Sequence, residues 1–86
     1  MLKIYGTMLC PDCVDCCRDL DNAGISYEFL DISADLRNLK ALLVLRDTDP
    51  SFAEIRGTER IGIPCIVNEA GEVVFDWDGY VSQDEA

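Results

Sequence analysis

The sequence predicts a single α/β domain: a parallel strand–helix–strand unit followed by an antiparallel hairpin, forming a four-stranded mixed sheet with flanking helices. Three observations carry this expectation. A helical pattern opened by Pro11 stands between two apolar strand patterns, and Asn68-Glu69-Ala70-Gly71 separates two later ones as a turn. The chain has 86 residues, 49% of them hydrophobic, which suits one small core spanning residues 1–86 and argues against disorder.

Taken in order, Leu2-Lys3-Ile4-Tyr5 alternates as a short strand that Gly6-Thr7 stops. Pro11 to Ala23 is helical. Proline suits a first turn because its missing N–H would have no partner there. Asp12, Asp15 and Asp19 favour the positive half of that helix, and Gly24 is its stop. Ile25 to Ile32 is the second strand, so the unit is parallel and right-handed. Asp31 or Ser33 is the expected cap of a second helix, with Leu36, Leu39, Leu42 or Leu43, and Arg46 at helical spacing. Asp49-Pro50 starts a short helical piece through Ile55 that Gly57 ends. Ile63 to Val67 and Glu72 to Phe75 are the hairpin strands. These leucines, with Tyr5, Phe29, Phe52 and Phe75, are the expected core. The acidic tail from Asp76 to Ala86 has room for a short helix at most, and its Trp77 and Tyr80 either cover a sheet edge or line a groove.

Charge and composition remove several classes of function. Seventeen acidic residues against seven basic ones give a net charge of −10, which disfavours nucleic acid and anionic membranes. Anionic small molecules, glutathione among them, are slowed, and a neutral or basic protein partner is easier to accommodate. The longest apolar run, Ala41 to Leu45, is far short of a membrane span. Met1 to Tyr5 lacks the apolar stretch of a secretory signal, so a cytoplasmic monomer is expected. With no histidine and no glycine-rich loop, Ser/His/Asp and phosphate-cradle chemistry have no residues to work with.

The cysteines are the chemical signal. Four of the five lie between Cys10 and Cys17, and the fifth is Cys65. Such a cluster closes no long loops, and its odd count leaves a thiol unpaired, so a disulfide scaffold is not indicated. Cys10-Pro11-Asp12-Cys13 sits where the first strand hands over to the first helix. Unpaired backbone N–H groups and partial positive charge at a helix start stabilise a thiolate. Cys10, just outside the helix, is the expected exposed nucleophile, and Cys13, in the first turn and partly covered, the expected resolving thiol. Asp12 and Asp15 oppose ionisation and no lysine is near in sequence, so a more reducing couple is expected.

The remaining thiols divide. Cys16 is expected to pack with Leu20 and Ala23, and Cys17 to be half exposed. Cys65 follows Pro64 and is either an accessory thiol or a small residue in a buried strand. A cis Ile63-Pro64 bond would set a backbone N–H and C=O beside the sulfurs to pair with a substrate chain. Two other classes stand beside the redox one. A zinc or iron–sulfur module would use Cys10, Cys13 and Cys16 or Cys65, although Cys16 is turned about 300° from Cys13 along the helix. A non-catalytic binding domain would leave disulfide reduction flat.

The segment from Lys3 to Val14, strand, short loop, Cys10-Pro11-Asp12-Cys13 and helix, resembles the opening of the glutaredoxins. Ile63-Pro64 falls where that family has its cis-proline, and the element order matches through Phe75, nearly the whole chain. The resemblance implies a thioredoxin-like fold and reduction of protein disulfides or glutathione mixed disulfides. It implies no bound cofactor, with glutathione as the reductant. By motif match Cys10 is the nucleophile, Cys13 resolves, and Ile63 and Pro64 dock the substrate, with Pro11 and Asp12 beside them. Departures are specific. Asp12 replaces an aromatic residue, the lysine before the first cysteine is missing, and Gly62-Ile63 replaces Thr-Val. Asp78-Gly79 is the nearest echo of the pair that reads the γ-glutamyl end, and Arg56 or Arg60 is left to meet a glutathione carboxylate.

Overall fold

A computed structural model describes residues 1–85, with side chains through residue 81. The strands are β1 (Leu2–Gly6), β2 (Tyr27–Asp31), β3 (Cys65–Val67) and β4 (Val73–Val74). The helices are α1 (Pro11–Asn22), α2 (Leu36–Thr48) and α3 (Asp78–Glu85), with one 3₁₀ turn over Pro50–Phe52. The sheet order is β2-β1-β3-β4. β1 runs parallel to β2, Leu2 opposite Tyr27 through Gly6 opposite Asp31, and β3 is antiparallel to both β1 and β4. This is the mixed, open, four-stranded sheet with flanking helices that the sequence predicts, a thioredoxin-like arrangement with a short last helix.

The pleat sorts the core into two layers, because successive side chains on a strand point to opposite faces. Ile4 and Ile66 are paired across β1 and β3, and with Leu2, Cys16 and Leu20 they fill the layer beneath α1. Trp77, Tyr80 and Val81 close that layer. Tyr5 and Cys65, the neighbouring pair, face the other way with Leu42, Phe52 and Ile55 beneath α2. There Phe52 meets Phe75 edge to face, ring centres 5.0 Å apart. Each such fully buried large side chain contributes about 1.5–3 kcal/mol of transfer free energy.

Three local expectations are corrected. Asp35 caps α2, its carboxylate accepting from the Arg37 N–H at 2.9 Å, because Asp31 and Ser33 are already bonded to each other. Among the α2 leucines only Leu42 is fully buried. Leu43, about 100° around the helix, is 40% exposed, and Leu36, in the first turn, is 67% exposed. The hairpin strands are shorter than predicted. Their turn is held by the Asn68 side-chain carbonyl, which accepts from the N–H groups of Ala70 (3.0 Å) and Glu72 (2.9 Å). Gly71 there takes a φ of +82°, which a side chain would resist.

At the end of the chain, Asp76 accepts from the Asp78 N–H and starts α3, while the Trp77 indole N–H donates to Asp19 on α1 at 3.0 Å. No helix among the described residues is long and apolar enough to cross a membrane.

Candidate active site

The site is built at the C-terminal end of β1. Cys10 is the residue before α1, in extended conformation, and its carbonyl accepts from the Cys13 and Val14 N–H groups at 3.1 and 3.2 Å. Its own N–H donates to the Thr7 carbonyl at 3.1 Å, which folds the loop back over the helix start. Cys10 makes no side-chain cap bond and is half-buried.

Cys13 is fully buried rather than partly covered. Burial, then the charges on Cys10 and Cys17, push its thiol up to about 12, against the lowering effect of the Thr7 N–H. Gly6 makes room for this sulfur. A Cβ at Gly6 would stand 2.7 Å from Cys13 Sγ, closer than packed atoms come.

The loop that carries Thr7 is held by a directed chain of hydrogen bonds. The Leu9 N–H donates to Thr7 Oγ1 at 3.2 Å, and Thr7 Oγ1 lies 3.0 Å from Ser33 Oγ. Ser33 spends its single hydroxyl proton on Asp31 Oδ1 at 2.6 Å, so Thr7 is the donor to Ser33. The Ser33 N–H also reaches Asp31, at 2.8 Å, and these two donors hold the Asp31 carboxyl below its ordinary value.

Opposite the sulfurs stands the Ile63-Pro64 bond, which is cis. Cys10, Asp12, Ile63 and Pro64 line one groove of about 640 Å³, backed by Phe75 and Trp77. Pro11 is exposed at its edge. Gly62 enters this bend with a φ of +91°, and a Cβ on it would lie 2.5 Å from the Phe52 ring. A glycine therefore stands where the resemblance leads one to look for threonine. Of the four strongest sequence candidates, Cys10, Ile63 and Pro64 thus converge on the groove from two distant segments, while Cys13 is buried behind Cys10 in the first turn of α1.

Scanned against models of known protein families, the sequence matches none. It is 34% identical over 67 residues, 78% of each chain, to a Haemophilus influenzae protein described as "Uncharacterized protein". The chain belongs to that protein's family. The description names no activity, so the chemistry of this family member is argued from its own side chains.

One of those side chains sits differently from expectation, and for two more positions the structure selects between the stated alternatives. Cys17 is buried, not half exposed, beside Tyr27 of β2. Cys65 is fully buried on the α2 face, because the residue after Pro64 points away from α1. Burial pushes its thiol up to about 12, and its position is that of a small residue in a buried strand. Arg56 is committed to the carbonyls of Arg46 and Asp49, which leaves Arg60 as the arginine on the groove. Cys16 packs in the α1 layer as expected, its thiol likewise pushed up to about 12 by burial. Among the described residues, no three His, Cys, Asp or Glu side chains are grouped to hold a metal ion.

Gly6, Thr7, Ser33 and Asp31 support the site, whereas the sequence reading gave them only local roles, as a strand stop and as helix caps. Asp31-x-Ser33 carries a signal for local side-chain bonding, but the same pattern also reads as a helix cap.

Proposed function

We propose that this protein is a dithiol oxidoreductase that reduces disulfides through Cys10 and Cys13. The observation that carries the reading is the sulfur pair: Cys10 on an open groove beside Pro64, and Cys13 buried in the first turn of α1, close enough that Cys10 raises its thiol. The family resemblance of the Cys10-Pro11-Asp12-Cys13 segment to the glutaredoxins supports it.

In the first step the Cys10 thiolate attacks one sulfur of the substrate disulfide. A Cys10–substrate bond forms, the substrate S–S bond breaks, and the first thiol leaves with a proton taken from solvent. In the second step Cys13 ionises and attacks Cys10 Sγ. The mixed disulfide breaks, the second thiol leaves with the Cys13 proton, and a Cys10–Cys13 disulfide remains. Two electrons have passed from the dithiol to the substrate, and an external thiol, glutathione by resemblance, restores it. Once Cys10 is in the mixed disulfide its negative charge is gone. The repulsion that a Cys10 thiolate exerts against ionisation of Cys13 goes with it. The second step is thereby made easier by the first. Five cysteines, four of them clustered on one short segment, suit redox chemistry in a reducing compartment better than a secreted scaffold, and we place this activity in the cytoplasm, in a monomer.

The test is trapping. Cys13→Ser, treated with a disulfide substrate, is expected to accumulate a mixed disulfide on Cys10 that mass spectrometry detects. Cys10→Ser is expected to form no adduct at residue 13. A Cys13→Ser protein that stays unmodified would remove the proposed nucleophile.

A further inference from the structure

Among the described residues eight large hydrophobic side chains are exposed, and four of them come from the segments that carry the site: Met8, Leu9, Val14 and Ile61. Leu9, 84% exposed, and Ile61, 50% exposed, line opposite banks of the Cys10 groove. A cluster of exposed apolar side chains around a nucleophile has a cost in water that a partner would relieve. The charges on the same groove are Asp12, Glu59 and Arg60, one net negative charge inside a chain of net charge −10. The other arginines are occupied. Arg18 pairs with Asp15 and Asp19, Arg37 with Asp35, and Arg46 and Arg56 donate to backbone carbonyls. Phe75 and Trp77 complete the lining, and the bond to Asp19 fixes the Trp77 ring.

Glutathione brings two carboxylates and one ammonium, and this groove offers it one cation. A lysine or arginine beside a substrate cysteine instead finds two carboxylates and two aromatic rings, a setting that favours cations twice over. Resting on the reductase reading above, we propose that the substrate is a cationic polypeptide disulfide, with a basic residue and an apolar residue close to the attacked cysteine, in preference to glutathione disulfide. Leu9 and Ile61 take the apolar neighbour, and Asp12 and Glu59 take the basic one.

The experiment compares four substrates for the reduced wild-type protein. They are a short peptide disulfide with Lys and Leu flanking the cysteine, the same peptide with Glu for Lys, glutathione disulfide, and uncharged hydroxyethyl disulfide. Formation of the Cys10–Cys13 bond is followed by mass spectrometry of quenched samples. The basic peptide is expected to react about ten-fold faster than the acidic one at low salt, the gap narrowing as salt rises. Glutathione disulfide is expected to fall with the acidic peptide. In an Asp12→Lys, Glu59→Lys double variant the ratio of basic to acidic rates is expected to invert. Equal rates for the two peptides, or glutathione disulfide matching the basic peptide, would overturn the substrate assignment and leave the reductase reading standing. Failure to oxidise with any of the four, hydroxyethyl disulfide included, would instead remove the reductase reading.

Discussion

Cys13 and Cys65 are both fully buried, and burial pushes both thiols up to about 12. Their surroundings differ. Cys13 lies beside Cys10, with the Thr7 N–H favouring its ionised form, and rests against a glycine kept free of side chain. Cys65 lies on the opposite face of the sheet among Leu42, Phe52 and Ile55, with Asp49 adding a further unfavourable charge. Depth alone therefore makes a thiol inert. What makes a buried thiol useful is a neighbouring sulfur to attack and a donor to receive the charge when it forms.

The largest effect that would break this comparison comes from removing each sulfur. Cys13→Ser is expected to lower turnover on a protein disulfide by about a hundred-fold or more, measured as steady-state reduction. Cys65→Ala is expected to keep the rate within about two-fold and to lower stability by about 1 kcal/mol, the loss of a small buried group. Comparable rate losses in the two variants would erase the distinction.

Next comes the space beside Cys13. Gly6→Ala puts a methyl 2.7 Å from Cys13 Sγ, and either the sulfur or the strand must move. A loss of about 1–3 kcal/mol in denaturant unfolding is expected, as for an overfilled core. The Cys10 mixed disulfide is expected to live longer, because its resolving sulfur is displaced. Gly62→Ala meets Phe52 at 2.5 Å and adds a backbone penalty from its positive φ, so it should cost stability too. Stability loss from Gly62→Ala without a longer-lived mixed disulfide would sharpen the contrast between the two layers.

A smaller effect is expected from the hydrogen-bond chain behind the loop. Ser33→Ala leaves Thr7 without its acceptor, and a slowing of about three- to ten-fold in the resolving step is expected, about one hydrogen bond's worth. Stopped-flow measurement of mixed-disulfide decay reads it, and an unchanged decay would detach the chain from the site.

The mildest perturbation is pH. Cys13, Cys16 and Cys65 have folded values raised to about 12 from an ordinary 9.0, so the native state holds protons that the unfolded chain releases. Their contribution to stability is complete below pH 9 and is lost as pH rises toward 12. Unfolding midpoints followed by Trp77 fluorescence should be insensitive to these thiols below pH 9 and fall above it. A midpoint that rises over the alkaline range would reverse the sign.

Much of this molecule was legible because its signals are local. Pro11 and Gly24 bracket α1, Asn68 to Gly71 mark the hairpin, and Cys10, Cys13 and Pro64 declare themselves by motif. What was not legible depends on the partner across space. Whether Cys65 faces α1 or α2 is a question of strand parity, settled only once Ile66 is seen opposite Ile4. Cys17 is covered because Tyr27, on the next strand, reaches it, and no pattern within α1 says so. α2 carries apolar residues on several sides, so spacing alone did not show that Leu36 and Leu43 would face water. The bond between Thr7 and Ser33 joins residues 26 apart in sequence, beyond the reach of any capping rule.

The most direct measurement is to equilibrate the wild-type protein in a glutathione redox buffer, quench it with acid and map every cysteine by mass spectrometry. The account predicts one intramolecular disulfide, Cys10 to Cys13, with Cys16, Cys17 and Cys65 still reduced. Oxidation that begins at Cys65 or Cys17 while Cys10 stays a free thiol would contradict it.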